Sequence, residues 1–135
     1  MSQKLPWMRG LVLFVALVTV CDAAGPNAQK KREAAYQATL QSYSDVLNPG
    51  MTRKYVEDYL RSKGVTLQQL CCIDERSAFA DLLKIGTEKH PWYCSEHEVY
   101  AAFQFLATVA HTLPVAHDSD TLKSITILHK LEGCR

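Results

Sequence analysis

Residues 94–134 read CSEHEVYAAFQFLATVAHTLPVAHDSDTLKSITILHKLEGC. Val99, Ala101, Phe103 and Phe105 recur at every second position, the period of a strand with one buried face. Leu122 to Leu131 forms a second such run, with Ile125, Ile127 and Leu131 on one side and His129 assigned to the outer face. Between them, Thr108 to Asp120 is a polar loop containing Pro114. Consecutive strands usually pair, so the stretch is expected to fold as an antiparallel hairpin about residue 114. In that register facing residues have numbers that sum to 228, which sets Phe103 opposite Ile125 and Cys94 opposite Cys134. A disulfide there would close the open end of the hairpin. A slip of one residue would turn every side chain to the wrong face.

Upstream, two further period-two runs precede the hairpin. Val65, Leu67, Cys71 and Ile73 alternate with Thr66, Gln68 and Cys72, Leu70 breaking the pattern, and Phe79, Leu83 and Ile85 follow after the polar turn Asp74-Glu75-Arg76-Ser77. Gly86 to Pro91 is expected as a loop. Before these the period is helical. Tyr36, Leu40, Tyr43 and Leu47 share one face of a helix spanning Pro26 to Leu47, stopped by Asn48-Pro49-Gly50. Thr52 is the N-cap of a second helix, with Met51 and Val56 as a hydrophobic staple and Val56, Tyr59 and Leu60 as its buried edge. Gly64 is its left-handed C-cap. Helices followed by strands give an α+β class: two N-terminal helices packed on an antiparallel β-meander of three to four strands.

The first 24 residues read as an address rather than as structure. Lys4 and Arg9 form a charged start, Leu11 to Val20 an apolar run interrupted by Thr19 alone, and Ala23 and Ala24 a small-residue exit, the pattern of a signal peptide. Ten residues, nine of them apolar, make about 15 Å of helix, half a bilayer core, so no membrane span is expected. A lipid anchor at Cys21 is not favoured, because bulky Val20 precedes it where lipoprotein processing needs a small residue. Residues 25–135 then form a single domain with thirteen basic and thirteen acidic side chains. A neutral chain without a basic stripe does not suit nucleic acid; Lys30-Lys31-Arg32 reads as a solvated helix start. The domain retains Cys71, Cys72, Cys94 and Cys134, an even set that in an exported protein reads as disulfide candidates. Cys71 and Cys72 point to opposite faces if they lie in a strand, and three connectivities of the four remain open.

The densest polar cluster is His90-Pro91-Trp92-Tyr93-Cys94-Ser95-Glu96-His97-Glu98. His90, Cys94 and His97, with Glu96 or Glu98, offer zinc-type donors, and Cys94 with His97 offers a nucleophile pair. The plainer reading is a disulfide cysteine at a strand entry, with Trp92 and Tyr93 packing the edge of the core. Adjacent Cys71-Cys72 does not match the CxxC of thiol oxidoreductases. His111 and His117 fall in the long loop, and Asp74, Glu75 and Asp81 read as turn carboxylates. The chain has no Gly-rich phosphate loop, GxSxG or HExxH. No catalytic, cofactor-binding or metal residue is assigned, and no cofactor is expected.

Two stretches carry a resemblance. Asn48-Pro49-Gly50-Met51-Thr52-Arg53, with Val56 and Leu60, resembles the helix-start motif of SmpA/BamE-like envelope domains. That resemblance implies two helices against an antiparallel sheet, a layout shared with β-lactamase-inhibitor-protein-like modules. Asp81 to Gly86, Pro91 to His97, Val99-Tyr100 and Glu132-Gly133-Cys134 together look like a group of short exported bacterial proteins of unknown function, which implies no activity. The expected function is an exported, non-enzymatic protein-binding or structural module of the bacterial envelope, periplasmic or secreted, meeting another envelope or secreted protein. The alternatives are a metal-binding protein using His90, Cys94 and His97, or a thiol-active enzyme.

Overall fold

The computed structural model describes residues 25–71, 73, 79–108 and 115–135. Residues 1–24 with Cys21, and Cys72, Asp74, Glu75, His111 and Pro114, lie outside the described residues. The fold is α+β. Helices α1 (Pro26–Ser44) and α2 (Arg53–Ser62) precede strands β1 (Gln68–Leu70), β2 (Ala80–Thr87), β3 (Glu96–Leu106) and β4 (Thr121–Glu132). The strands form one antiparallel sheet in the order β1-β2-β3-β4. Among the described residues no helix is long and apolar enough to cross a membrane.

The β3–β4 ladder runs from Glu96 opposite Glu132 to Leu106 opposite Thr121, with Phe103 opposite Ile125. This is the register that the alternation requires. A bulge between Gln104 and Phe105 sets Phe105 opposite Leu122 and turns Leu122 to the Phe103 face. There Leu83, Ala101, Phe103, Phe105 and Leu122 join Leu47, Val56 and Leu60 in one buried cluster. Tyr43 of α1 meets Phe103 edge-on, with centroids 5.7 Å apart. The other face carries a smaller cluster of Ala80, Leu82, Tyr100 and Ala102, with Leu128 against it.

The helix ends follow local chemistry. Thr52 caps α2 by accepting the Tyr55 backbone N–H at 3.3 Å, and Gly64 has φ of 73°. Helix α1 stops at Ser44 rather than Leu47. The amides of Val46 and Leu47 fold back onto the Tyr43 carbonyl, and Leu47 is buried from a turn instead of from the helix. Strand β1 is shorter than the alternation from Val65 to Ile73 suggests. Val65 and Leu67 pack on the first cluster, whereas Leu70 and Ile73 pack on the second, so the segment crosses between faces and keeps only three ladder pairs. Strand β2 runs on through Gly86 to Thr87, where a loop is expected from the sequence. A Cβ at Gly86 would lie 2.6 Å from the Tyr36 ring, so glycine lets α1 approach the strand.

A buried ionic group centres on Arg53, the first residue of α2, whose side chain is 1% exposed. Its Nη1 donates to Asp81 Oδ1 at 2.7 Å, and its Nη2 donates to the Phe79 carbonyl. Its Nε lies 3.5 Å from Asp120 Oδ2, and the guanidinium sits 4.1 Å over the centroid of the Phe105 ring. Asp81 is therefore a buried residue of β2, not the turn carboxylate that its neighbours suggest. Burial pushes its carboxyl up, Arg53 pulls it down, and Glu57 adds a further upward push; the result is about 7.

Removing the cation would strand two buried carboxylates. Arg53→Ala is expected to destabilise the domain by about 3–5 kcal/mol, read as the urea unfolding midpoint. The raised Asp81 carboxyl also has a sign. A native group that holds its proton more tightly than the unfolded chain stabilises most below the unfolded value, and that contribution is lost as pH rises through 7. The stability of wild type relative to Asp81→Asn should therefore fall by about 1–3 kcal/mol between pH 4 and pH 8. A difference that is flat, or that rises, across paired denaturation curves would contradict the assignment.

Candidate functional site

The open end of the β3–β4 hairpin is closed by a Cys94–Cys134 disulfide. Cys94 is buried and ends a turn in which its amide donates to the Pro91 carbonyl at 3.0 Å. Trp92 and Tyr93 occupy the apex of that turn. Trp92 is 93% exposed and Tyr93 44%, and the two rings meet edge to face at 5.8 Å. They do not pack the edge of the core, which corrects the sequence expectation: the turn that buries Cys94 throws its two central residues outward.

The chain beneath the apex is tightly tied. Arg135 donates its amide to the Tyr93 carbonyl at 2.9 Å, and the Ser95 amide and hydroxyl both reach the Glu132 carbonyl at 3.0 and 3.1 Å. Gly133 adopts φ of 61°, and a Cβ there would fall 2.1 Å from Ser95 Oγ. These contacts frame a cavity of about 450 Å³ lined by Trp92, Tyr93, Ser95, Gly133 and Arg135.

Beside this tip, helix α1 reaches the sheet through ionic contacts. Arg32 Nε bonds both Glu88 oxygens at 2.9 and 3.0 Å, and the Tyr36 hydroxyl donates to Glu88 Oε1 at 2.9 Å. Burial opposes ionisation of Glu88, but these two donors outweigh it and hold the carboxyl below its usual value. Burial and the same contact push the Tyr36 phenol up. On the opposite face Glu96, Glu98 and Glu132 converge. Lys84 pairs with Glu98 and Lys130 with Glu132. The Tyr100 hydroxyl donates to Glu98, and burial together with that bond moves the Tyr100 phenol up to about 12. Two of the three carboxylates are thus paired with cations, and the row behaves as a charged sheet surface.

The sequence-level site residues separate here. His90 is exposed, with Nδ1 3.1 Å from the Pro91 carbonyl oxygen, and it lines a pocket of about 390 Å³ together with His97. Cys94 does not complete a His90–Cys94–His97 donor set, because its sulfur is bonded to Cys134. For the same reason it is not a thiolate partner for His97. Cys71 is also disulfide-bonded. The alternative pairings of Cys94 or Cys134 with Cys71 or Cys72 do not occur. His129 shares the Val99 face of the sheet, because it stands directly opposite Val99 and has the parity of Ile125 and Ile127. His117 is half-buried rather than open to solvent, and its amide donates to Asp120 Oδ2 at 2.9 Å.

No family model matches the chain, and no curated protein or solved structure matches it either. The site must therefore be judged on its own geometry. Replacing Cys94 and Cys134 together by serine should lower stability by about 2–4 kcal/mol and loosen the 91–95 turn. Denaturant titration reads the first effect, and faster iodide quenching of Trp92 emission reads the second.

Proposed function

We propose that this chain is an exported, non-enzymatic module that docks a second envelope or secreted protein through the Trp92–Tyr93 tip. The observation that carries the reading is the 93% exposure of Trp92 on a turn locked by the Cys94–Cys134 disulfide. Tryptophan, tyrosine and arginine dominate the energetics of protein interfaces, and Trp92, Tyr93 and Arg135 stand together here. The Trp92 ring meets that of Tyr93 at 5.8 Å, so the tip offers a contiguous aromatic surface rather than one scattered apolar side chain. The charged start and apolar run of residues 1–24 and the disulfide support an oxidising, exported address. The Gly50-Met51-Thr52-Arg53 motif supports an envelope setting of the SmpA/BamE-like kind. In this reading the two helices are a fixed layer over one face of the meander, which leaves the disulfide end of the sheet to meet the partner.

The test places a photocrosslinking residue at position 92, and in parallel at exposed Tyr55, in the exporting host. One discrete adduct from position 92, absent from position 55 and competed by added wild-type domain, is expected. The intact mass of the recovered domain should begin at Ala24 or Gly25. Equal ladders from both positions, no adduct, or a chain that retains residues 1–24 inside the cell would overturn the reading.

A further inference from the structure

We propose that His97 and His129 form a binding site for a divalent late first-row metal ion, with Zn²⁺ as the probe. The set differs from the His90–Cys94–His97 cluster, and the site does not depend on the docking role of Trp92.

His97 Nε2 and His129 Nδ1 face each other at 3.0 Å, with the ring centroids 5.2 Å apart. The strands impose this meeting. His129 is the ladder partner of Val99, and His97 lies two residues before Val99 on the same face, so the two rings meet on a cross-strand diagonal. The backbone at this point is held by the ladder and, three residues before His97, by the Cys94–Cys134 disulfide.

The orientation of His97 is also set. Its Nδ1 lies 3.4 Å from the Lys89 carbonyl oxygen. A proton on Nδ1 serves that acceptor and leaves the Nε2 lone pair aimed at His129. Metal-binding imidazoles are commonly held through their second nitrogen in this way. In the metal-free protein one N–H must lie between the facing nitrogens, and His129 Nδ1 supplies it. A cation would take its place, the His129 proton moving to Nε2. Two nitrogens bound at about 2.0–2.1 Å to a tetrahedral ion stand about 3.3–3.4 Å apart. The 3.0 Å pair needs to open by only a few tenths of an ångström.

The site has space for an ion. Both imidazoles line a cavity of about 360 Å³ with Gln29, Arg32, Glu33, Glu88 and Lys89. Arg32 is neutralised by Glu88 at 2.9 Å, and Glu33 offsets the Lys89 charge, so the imidazole nitrogens themselves supply the attraction for the ion. The remaining coordination positions open into this cavity, where water or a small anionic ligand would fill them. Imidazole donors suit zinc, copper and nickel rather than magnesium or calcium.

The experiment is equilibrium dialysis of the untagged, disulfide-intact protein against micromolar Zn²⁺, with metal content measured. One Zn²⁺ per chain is expected. His97→Ala and His129→Ala should each weaken binding about tenfold or more, while His90→Ala leaves it unchanged. Nitrogen-15 spectra of the wild-type imidazoles give a readout independent of any variant: Zn²⁺ should move the His97 Nε2 and His129 Nδ1 signals. No uptake, uptake that survives the double substitution, or an equal loss in His90→Ala would overturn the proposal, as would unmoved His97 and His129 signals in a zinc-loaded protein.

Discussion

The buried Arg53 guanidinium is the contact on which the arrangement of the elements depends. It stands at the first position of α2 and reaches the Phe79 carbonyl and Asp81 at the start of β2, the Phe105 ring of β3, and Asp120 immediately before β4. Its own amide donates to the Asp120 carbonyl at 2.7 Å, and the next amide, of Lys54, donates to the Asp118 carbonyl. The otherwise unpaired amides at the helix start are thereby satisfied by the segment that leads into β4. An ion removed from water is tolerated only where its geometry is well met. Here the cation has carboxylates on two sides and an aromatic face on a third, while its Nε and the oxygens Asp81 Oδ2 and Asp120 Oδ1 are buried without a hydrogen bond among the described residues. A shift of α2 relative to the strands would break several of these contacts at once.

The same region forms a small extension of the sheet. Gly50 donates to the Leu122 carbonyl and Leu122 donates to the Met51 carbonyl, both at 2.8 Å, and Thr52 bridges to Thr121. The beginning of β4 is therefore held by the chain that introduces α2, while its end is held by Cys134. Strand β4 is the longest of the four and occupies an edge of the sheet in strand order. An edge strand with free backbone groups invites unwanted pairing. Residues 50–52 occupy part of that edge, and Lys123 and Lys130 add charge to the same strand.

The sequence carries the hairpin clearly because two independent signals coincide there. Alternation sets the faces of β3 and β4, and the equal residue-number sums of Phe103 with Ile125 and Cys94 with Cys134 set the register. The parity that assigns Ile125 and Ile127 also assigns His129 to their face, a consequence legible from residue numbers alone. Arg53 is different. A basic residue in the first turn of a short helix ordinarily reads as surface, and its carboxylate partners lie 28 and 67 positions away in sequence. No periodicity connects residues so distant; only the fold does. Asp81 is misread for the same reason, since nothing local distinguishes a buried ionic partner from a turn residue. Trp92 is misread in the opposite sense. Its size suggests the core, but a four-residue turn that ends in a buried cysteine has nowhere inward to send its central side chains.

These two exceptions, a charge inside and an indole outside, sit at opposite ends of the β3–β4 hairpin. Arg53 contacts Phe105 near the loop end, and Trp92 rides on the disulfide at the other. An exposed tryptophan on a mobile loop would lose much of its binding energy to ordering. Held by the Cys94 linkage, the Arg135–Tyr93 bond and the Gly133–Ser95 approach, the Trp92 turn has little backbone freedom left to lose. The same rigidity acts on the imidazoles. His97 follows Cys94 along β3, and His129 precedes Cys134 along β4, so one covalent closure positions both an aromatic tip and a pair of facing nitrogens. The crosslink therefore does more than add stability to a small core. It turns the end of a two-stranded ribbon, ordinarily the part that frays first, into a covalently closed and hydrogen-bonded tip.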